Sequence, residues 1–267
     1  MNSFLSFPLL YYNLRSRTKN FVVWSLISLC LFILIIVMFM NILNAGLPSF
    51  INDMLAAVSG GNGNSLPDFS DFNVDFGVCM QIMLVVGCVY ASYLGASAIS
   101  NGDGDITFIY AQPITRLCTV LTTFVAQIVI LFFYNLVVLL VSAAVLYSNN
   151  KMMNMGRVAM AVLAFILIEA VYLSLSLLFS TFMNSVSQAT SISAVTVTAT
   201  VVCAIVGAIP SLGVFKILSP YAYLSVYSIV TGGGKMFFMG IVASFVLIIV
   251  SATLSCIRYE KIDFLLD

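Results

Sequence analysis

Glu169 stands in the middle of the long apolar run "AVLAFILIEAVYLSLSLLF". An ionisable group in hydrocarbon is costly and marks a functional position by default. It can line a hydrated pathway, pair with a cationic group on a substrate, or take up a proton. The other reading is a structural hydrogen bond to a neighbouring helix or a partner subunit. A second set of reactive atoms lies in "NSVSQATSISAVTVTAT", where Ser187, Thr190, Ser191, Ser193 and Thr198 recur at helical spacing. Small hydroxylated side chains let helices approach and hydrogen-bond across the contact, so this face is either a dimer or bundle seam or a pathway wall. The third feature is "NGDGDITFIYAQPITR" at 101–116, which concentrates polar and turn-forming residues in a chain only 7% charged.

Several chemistries are closed to this chain. It has no histidine, which removes His-based zinc sites, Ser-His and Cys-His nucleophile activation, and histidine proton relays. Its six cysteines lie within or at the edges of apolar runs and form no C-x-x-C pair, so they read as small buried hydrophobes and no metal site is expected. The net charge is zero and no basic run is long, which gives no footprint for nucleic acid. Gly60, Gly61 and Gly63 sit in a glycine-rich stretch with no strand before it and no lysine after it, so they read as a turn region, not a phosphate loop.

The elements that must carry these residues are membrane helices. The chain of 267 residues is 62% hydrophobic, and its mean hydropathy is +1.13, far above a soluble domain. About 20 apolar residues span the hydrocarbon as a helix, and six runs qualify, at about 21–43, 78–99, 117–147, 157–182, 186–209 and 236–257. None alternates as a barrel strand does. The expectation is an all-α polytopic membrane protein, with residues 1–267 forming a single transmembrane domain of six helices. The first run is too long for a signal-peptide core and is kept as a mature span.

Basic residues near the span ends set the orientation. With the N-terminus inside, Arg15, Arg17, Lys19, Arg116, Arg258 and Lys261 are cytoplasmic, while Lys151, Arg157, Lys216 and Lys235 are outside. The first outer loop holds Asp53, Asp68, Asp71 and Asp75 and no basic residue. Both termini are therefore expected in the cytoplasm, and the chain in the plasma membrane. Residues 1–20 mix Phe4, Phe7, Tyr11 and Tyr12 with a basic end, as an interfacial segment does. The segment at about 210–235 is apolar and aromatic but broken by Pro210, Gly213, Pro220 and Gly232–Gly234. It reads as a re-entrant or interfacial helical pair on the outer face, with Tyr221, Tyr223 and Tyr227 at headgroup depth, or as an ordinary outer loop.

Within 101–116, Asp105 can cap a helix, and Ile106, Ile109, Tyr110 and Pro113 then form an apolar stripe on one face. Pro113 ends the helix and Arg116 opens the third span. A short cytoplasmic helix at about 103–115 offers a soluble protein something to grip; a plain turn is the simpler alternative. "GDITFIYAQPITR" resembles the signature of the permease subunits of bacterial type-2 ABC exporters. That family has acidic residues, Gly-Thr, seven mostly apolar residues, then Pro-Val/Ile-Ser/Thr-Arg. Gly104 matches the glycine, Pro113 the proline, Ile114 and Thr115 the pair, and Arg116 the arginine. Asp105 replaces the usual threonine and keeps its capping chemistry. Gly102 and Ser100 replace the family's two glutamates, and Asp103 is the acidic residue nearby.

The resemblance implies a coupling helix bearing Asp103, Gly104, Asp105, Ile106, Ile109, Tyr110 and Pro113, anchored by Arg116. It implies two copies of a cytoplasmic ABC ATPase as partners, and a second permease that is expected to be identical. The chain has no G-x-x-x-x-G-K-[ST], so it is not itself an ATPase; ATP and Mg²⁺ belong to the partner. The expected role is export of hydrophobic or amphipathic cargo, such as peptides, antimicrobials or lipids. A secondary transporter and a non-transporting sensor or structural subunit are the alternatives. An intramembrane enzyme would need a nucleophile with its base or metal ligands, which a chain without histidine is poorly placed to supply.

Glu169→Gln separates the readings of the buried carboxylate. Lost transport by a complex that still assembles assigns it to the pathway, and full transport removes it from the functional residues.

Overall fold

In the computed structural model, residues 6–45, 72–99, 115–148, 155–183, 185–207, 212–231 and 237–260 are described. Six helices are long and apolar enough to cross a membrane. They are α1 (Phe7–Ala45), α2 (Phe72–Ala96), α3 (Arg116–Ser148), α4 (Met155–Phe182), α5 (Val186–Val206) and α8 (Phe237–Glu260). Between α5 and α8 come two short helices, α6 (Val214–Leu218) and α7 (Val226–Thr231), separated by a 3-10 turn at Pro220–Ala222. The protein is thus an all-helical, multi-pass membrane protein, as its apolar runs require.

Helix α1 runs unbroken from Phe7 through the basic segment into the first apolar run, with no helix break near residue 21. Nothing between Arg15 and Phe21 breaks a helix: there is no proline or glycine, and Arg, Lys and Asn tolerate helical backbone. Ser6 and Asn13 lie seven residues apart but reach adjacent threonines. The Ser6 N–H donates to Thr122 Oγ1 and Asn13 Nδ2 to Thr123 Oγ1, each at 3.2 Å. The first turns of α1 therefore cross the start of α3 and do not climb along it.

Polar contacts fix which helix ends lie together. At one end of the bundle, Arg17 of α1 donates to the hydroxyl and carbonyl of Ser97, just past α2. The Ile99 N–H donates to Ser180 Oγ of α4 at 3.3 Å, and Arg116 of α3 donates to the Glu260 carbonyl of α8 at 3.3 Å. The Arg258 guanidinium stacks over the Phe182 ring at 5.2 Å. Helices α2, α4 and α8 thus finish where α1 and α3 begin, as alternate crossings demand. Thr115 caps α3 there, its hydroxyl accepting the Cys118 N–H at 3.3 Å.

The core centres on α4. It packs most extensively on α2, then on α8, α3 and α5, while α1 lies outside against α3 and α2. Two-thirds of the apolar window of α4 is buried, against about one-sixth for α1 and α5, whose outward faces carry Leu26, Leu34, Val195 and Ile205 as lipid-facing surface. Along α2, Gly87, Ala91 and Gly95 recur every four residues on the side turned to α4. A methyl group on Gly95 would strike the backbone carbonyl of Leu173 and come within 2.9 Å of Ser176 Cβ. Small residues at this spacing let two helices meet backbone to backbone, gaining dispersion contacts where lipid supplies no hydrophobic drive.

Gly95→Ala tests this contact, since a backbone carbonyl cannot rotate away. Overpacking of this kind costs about 1–3 kcal/mol. A thermal scan of the purified protein should show unfolding several degrees lower, and an unchanged midpoint would contradict the close approach.

Candidate functional site

Glu169 is fully buried on α4, facing α2 and α3. Asn135 on α3 donates from Nδ2 to Glu169 Oε2, and the same nitrogen donates to the Leu131 carbonyl at 3.0 Å. On the α2 side the carboxylate lies against Gly87, where a methyl group would overlap Glu169 Oε1. Among the described residues, Glu169 Oε1 and Asn135 Oδ1 are buried acceptors without a hydrogen-bond partner. Leaving a buried acceptor unmatched costs about 1–3 kcal/mol, so this pair is held by its surroundings and would be lost if the helices loosened.

The surroundings are aromatic and polar. Tyr134 precedes Asn135 on α3, and consecutive helical residues point about 100° apart. Asn135 therefore turns to α4 while Tyr134 turns to α1, where its hydroxyl pairs with Ser28 Oγ at 2.7 Å. The Tyr134 ring stands 4.9 Å from Tyr90 of α2, and Tyr90 stands 5.3 Å from Trp24 of α1. Four helices are thus tied through one layer of polar and aromatic groups. Among the described residues no cluster of His, Cys, Asp or Glu could hold a metal ion.

The hydroxyl face of α5 is elsewhere. Ser187, Ser191 and Thr198 are exposed and Thr190 is half-buried. Ser191 donates to the Ser187 carbonyl at 2.8 Å, Thr198 to Ala194 at 2.9 Å, and Thr190 to Val186 and Ser187 at 3.0 Å. The hydroxyls of Thr190, Ser191 and Thr198 satisfy themselves on their own helix, and the structure does not bring any of the four to Glu169. Ser193 alone of the five turns inward, on the stripe with Ala189 and Val197 that α5 buries. Asp103, Gly104, Asp105, Ile106, Ile109, Tyr110 and Pro113 lie outside the described residues, so of that set only Arg116 is placed, at the first residue of α3.

At the opposite end, the segment 212–231 docks as a broken cap. Tyr221 is buried against α2, its hydroxyl donating to the Gln81 carbonyl at 2.7 Å. Burial pushes this phenol up to about 12, so it remains a donor at physiological pH. The Gln81 side chain accepts the Tyr227 N–H at 3.2 Å. Ser219 donates to the Thr200 carbonyl at 2.7 Å, and Thr200 Oγ1 pairs with Tyr172 of α4 at 2.6 Å. Asn135, Gln81 and the Gly87–Ala91–Gly95 spacing were the residues sequence reasoning passed over. A carboxamide in mid-span and small residues every four positions are the signals that mark them.

No family model matches this chain, and no curated protein matches it.

Asn135→Leu removes the one donor to the Glu169 carboxylate among the described residues and should be the most damaging change in this layer. Leaving a buried acceptor without its donor costs about 1–3 kcal/mol, more where the group is charged. The Asn135→Leu/Glu169→Leu double variant should recover much of the loss, because no orphaned charge remains. Thermal midpoints of the three proteins check this, and a single variant as stable as the parent would contradict the pairing.

Proposed function

We propose that the chain is the transmembrane subunit of an ATP-driven exporter of the type-2 ABC class, working with two copies of a cytoplasmic ATPase and a second, identical permease. The observation that carries the reading is the joint between α2 and α3. The Gly104–Asp105 and Pro113–Ile114–Thr115–Arg116 signature falls at this joint. Thr115 and Arg116, its last two residues, cap α3 and reach the end of α8. The ends of α2 and α4 and the start of α1 are hydrogen-bonded at the same end of the bundle. A push delivered at 103–115 would therefore reach five of the six long helices through a few contacts.

The mechanism is mechanical. ATP binding closes the ATPase pair, which presses on the coupling helix, and the free energy comes from the difference in nucleotide affinity between the two states. Tilting of the spans then changes access to a pathway between the two permeases. In this reading the crossing start of α1 is the interfacial element on the cytoplasmic face, the segment 212–231 is the re-entrant outer element, and both termini are cytoplasmic. The polar residues inside are few, so the pathway suits hydrophobic or amphipathic cargo, with peptides, antimicrobials and lipids the candidate classes. A secondary transporter would instead route coupling through Glu169, whose Oε1 has no hydrogen-bond partner among the described residues; its activity would follow an ion gradient and ignore vanadate.

Replacing residues 104–113 with a Gly-Ser linker tests the reading. The variant should fold with an unchanged thermal midpoint but fail to retain the ATPase on co-purification, and vanadate-sensitive hydrolysis should disappear from the preparation. An ATPase that stays bound to the linker variant would overturn the proposal.

A further inference from the structure

A groove of about 450 Å³ runs between the broken cap and the first turns of α8. Lys216 on α6, Ser225 just ahead of α7 and Ser228 on α7 line it. Among the described residues that line it, Lys216 is the only charged one. Ile229 of α7 and Met239 and Ala243 of α8 line it as well. The backbone is close-fitted here, since a methyl group on Gly240 would strike the Tyr223 carbonyl. The Tyr223 hydroxyl in turn donates to the Ile217 carbonyl at 2.8 Å, holding α6 beside the turn.

The α8 wall does not stop at the groove. Met239, Val242, Val246 and Ile249 are all exposed and follow one another at three- and four-residue steps along α8. At 1.5 Å per residue this stripe is about 15 Å long, half the thickness of the hydrocarbon layer. One cation among the described lining residues, hydroxyls in the same groove and a leaflet-long apolar track running on from it match one ligand architecture. We infer that the groove holds an anionic glycerophospholipid of the surrounding bilayer, its phosphate at Lys216 and one acyl chain along Met239, Val242, Val246 and Ile249. Charge complementarity selects the head and the stripe accepts the tail. A neutral lipid satisfies only the second half, and inorganic phosphate only the first.

Native mass spectrometry of the protein purified with equal amounts of phosphatidylglycerol and phosphatidylcholine reads out the occupant. The parent protein should retain phosphatidylglycerol preferentially. Lys216→Gln should lower that preference about fivefold, the equivalent of one basic residue at a charged membrane surface, and Lys216→Arg should keep it. Ala243→Phe, which fills the α8 side of the groove, should release both lipids. Equal retention of the two lipids by the parent, or a preference untouched by Lys216→Gln, would overturn the inference. So would inorganic phosphate stabilising the delipidated protein as well as phosphatidylglycerol does, because it would leave an anion site without a lipid. Should Ala243→Phe fail to fold, the Gln and Arg variants at position 216 decide the matter alone.

Discussion

Everything in this bundle hangs on how closely α2 can approach α4. Lipid tails are as apolar as leucine, so burying apolar surface does not drive these helices together. Contact must come from shape and from the few polar groups the helices carry. Gly87 and Gly95 supply the shape: one accommodates the Glu169 carboxylate and the other the Leu173 carbonyl, with Ala91 buried between them. Any larger side chain at these places would push α2 outward. Glu169 would then leave Asn135, and the remaining helices that pack on α4 would lose their common support.

The same contact explains why a carboxylate is tolerated at the centre of the protein. It is sealed from the surface, hydrogen-bonded on one oxygen by Asn135 and backed by glycine on the other. Next to it, Tyr134 carries the connection to Ser28 on α1. A polar layer of this kind is sensitive to register, because a shift of α2 or α3 by one residue would rotate its partners by about 100°. It can therefore act as a detent: the helices seat in one arrangement and must break hydrogen bonds to leave it. On the proposed function, in which a partner moves the spans, a seat of that kind would hold the resting state without locking it.

Much of this was legible in the sequence, for a physical reason. Span number and position follow from runs of apolar residues, and α3, α4 and α5 begin within about two residues of the limits set by those runs, with Arg116 at the start of α3. Helix continuity was harder to read. The aromatic and basic residues before the first span suggested a separate element, yet nothing in them interrupts a helix, and α1 passes straight through. Glu169 announced itself by its charge, but its partner did not, since a lone Asn in a 33-residue helix could face lipid, water or protein. The hydroxyls of α5 show the same limit. Their periodicity is real, but Ser187, Ser191 and Thr198 lie outside the monomer's core, and their neighbours Ala189, Ser193 and Val197 do the packing. Which face of a helix turns inward depends on the fit of backbones, and composition does not record it.

The contact at Gly87 can be measured directly by a double-mutant cycle with Glu169, read as thermal or denaturant stability. Gly87→Ala alone should be destabilising, because the new methyl group displaces the carboxylate from Asn135. With Glu169→Ala already in place, the same methyl group has nothing to displace and fills part of the space left behind, so it should cost almost nothing. The two changes should thus be coupled by about 1 kcal/mol or more, in the range found for side chains in contact. Strict additivity would show that α2 and α4 do not meet at the carboxylate, and would contradict the account of the bundle built on that meeting.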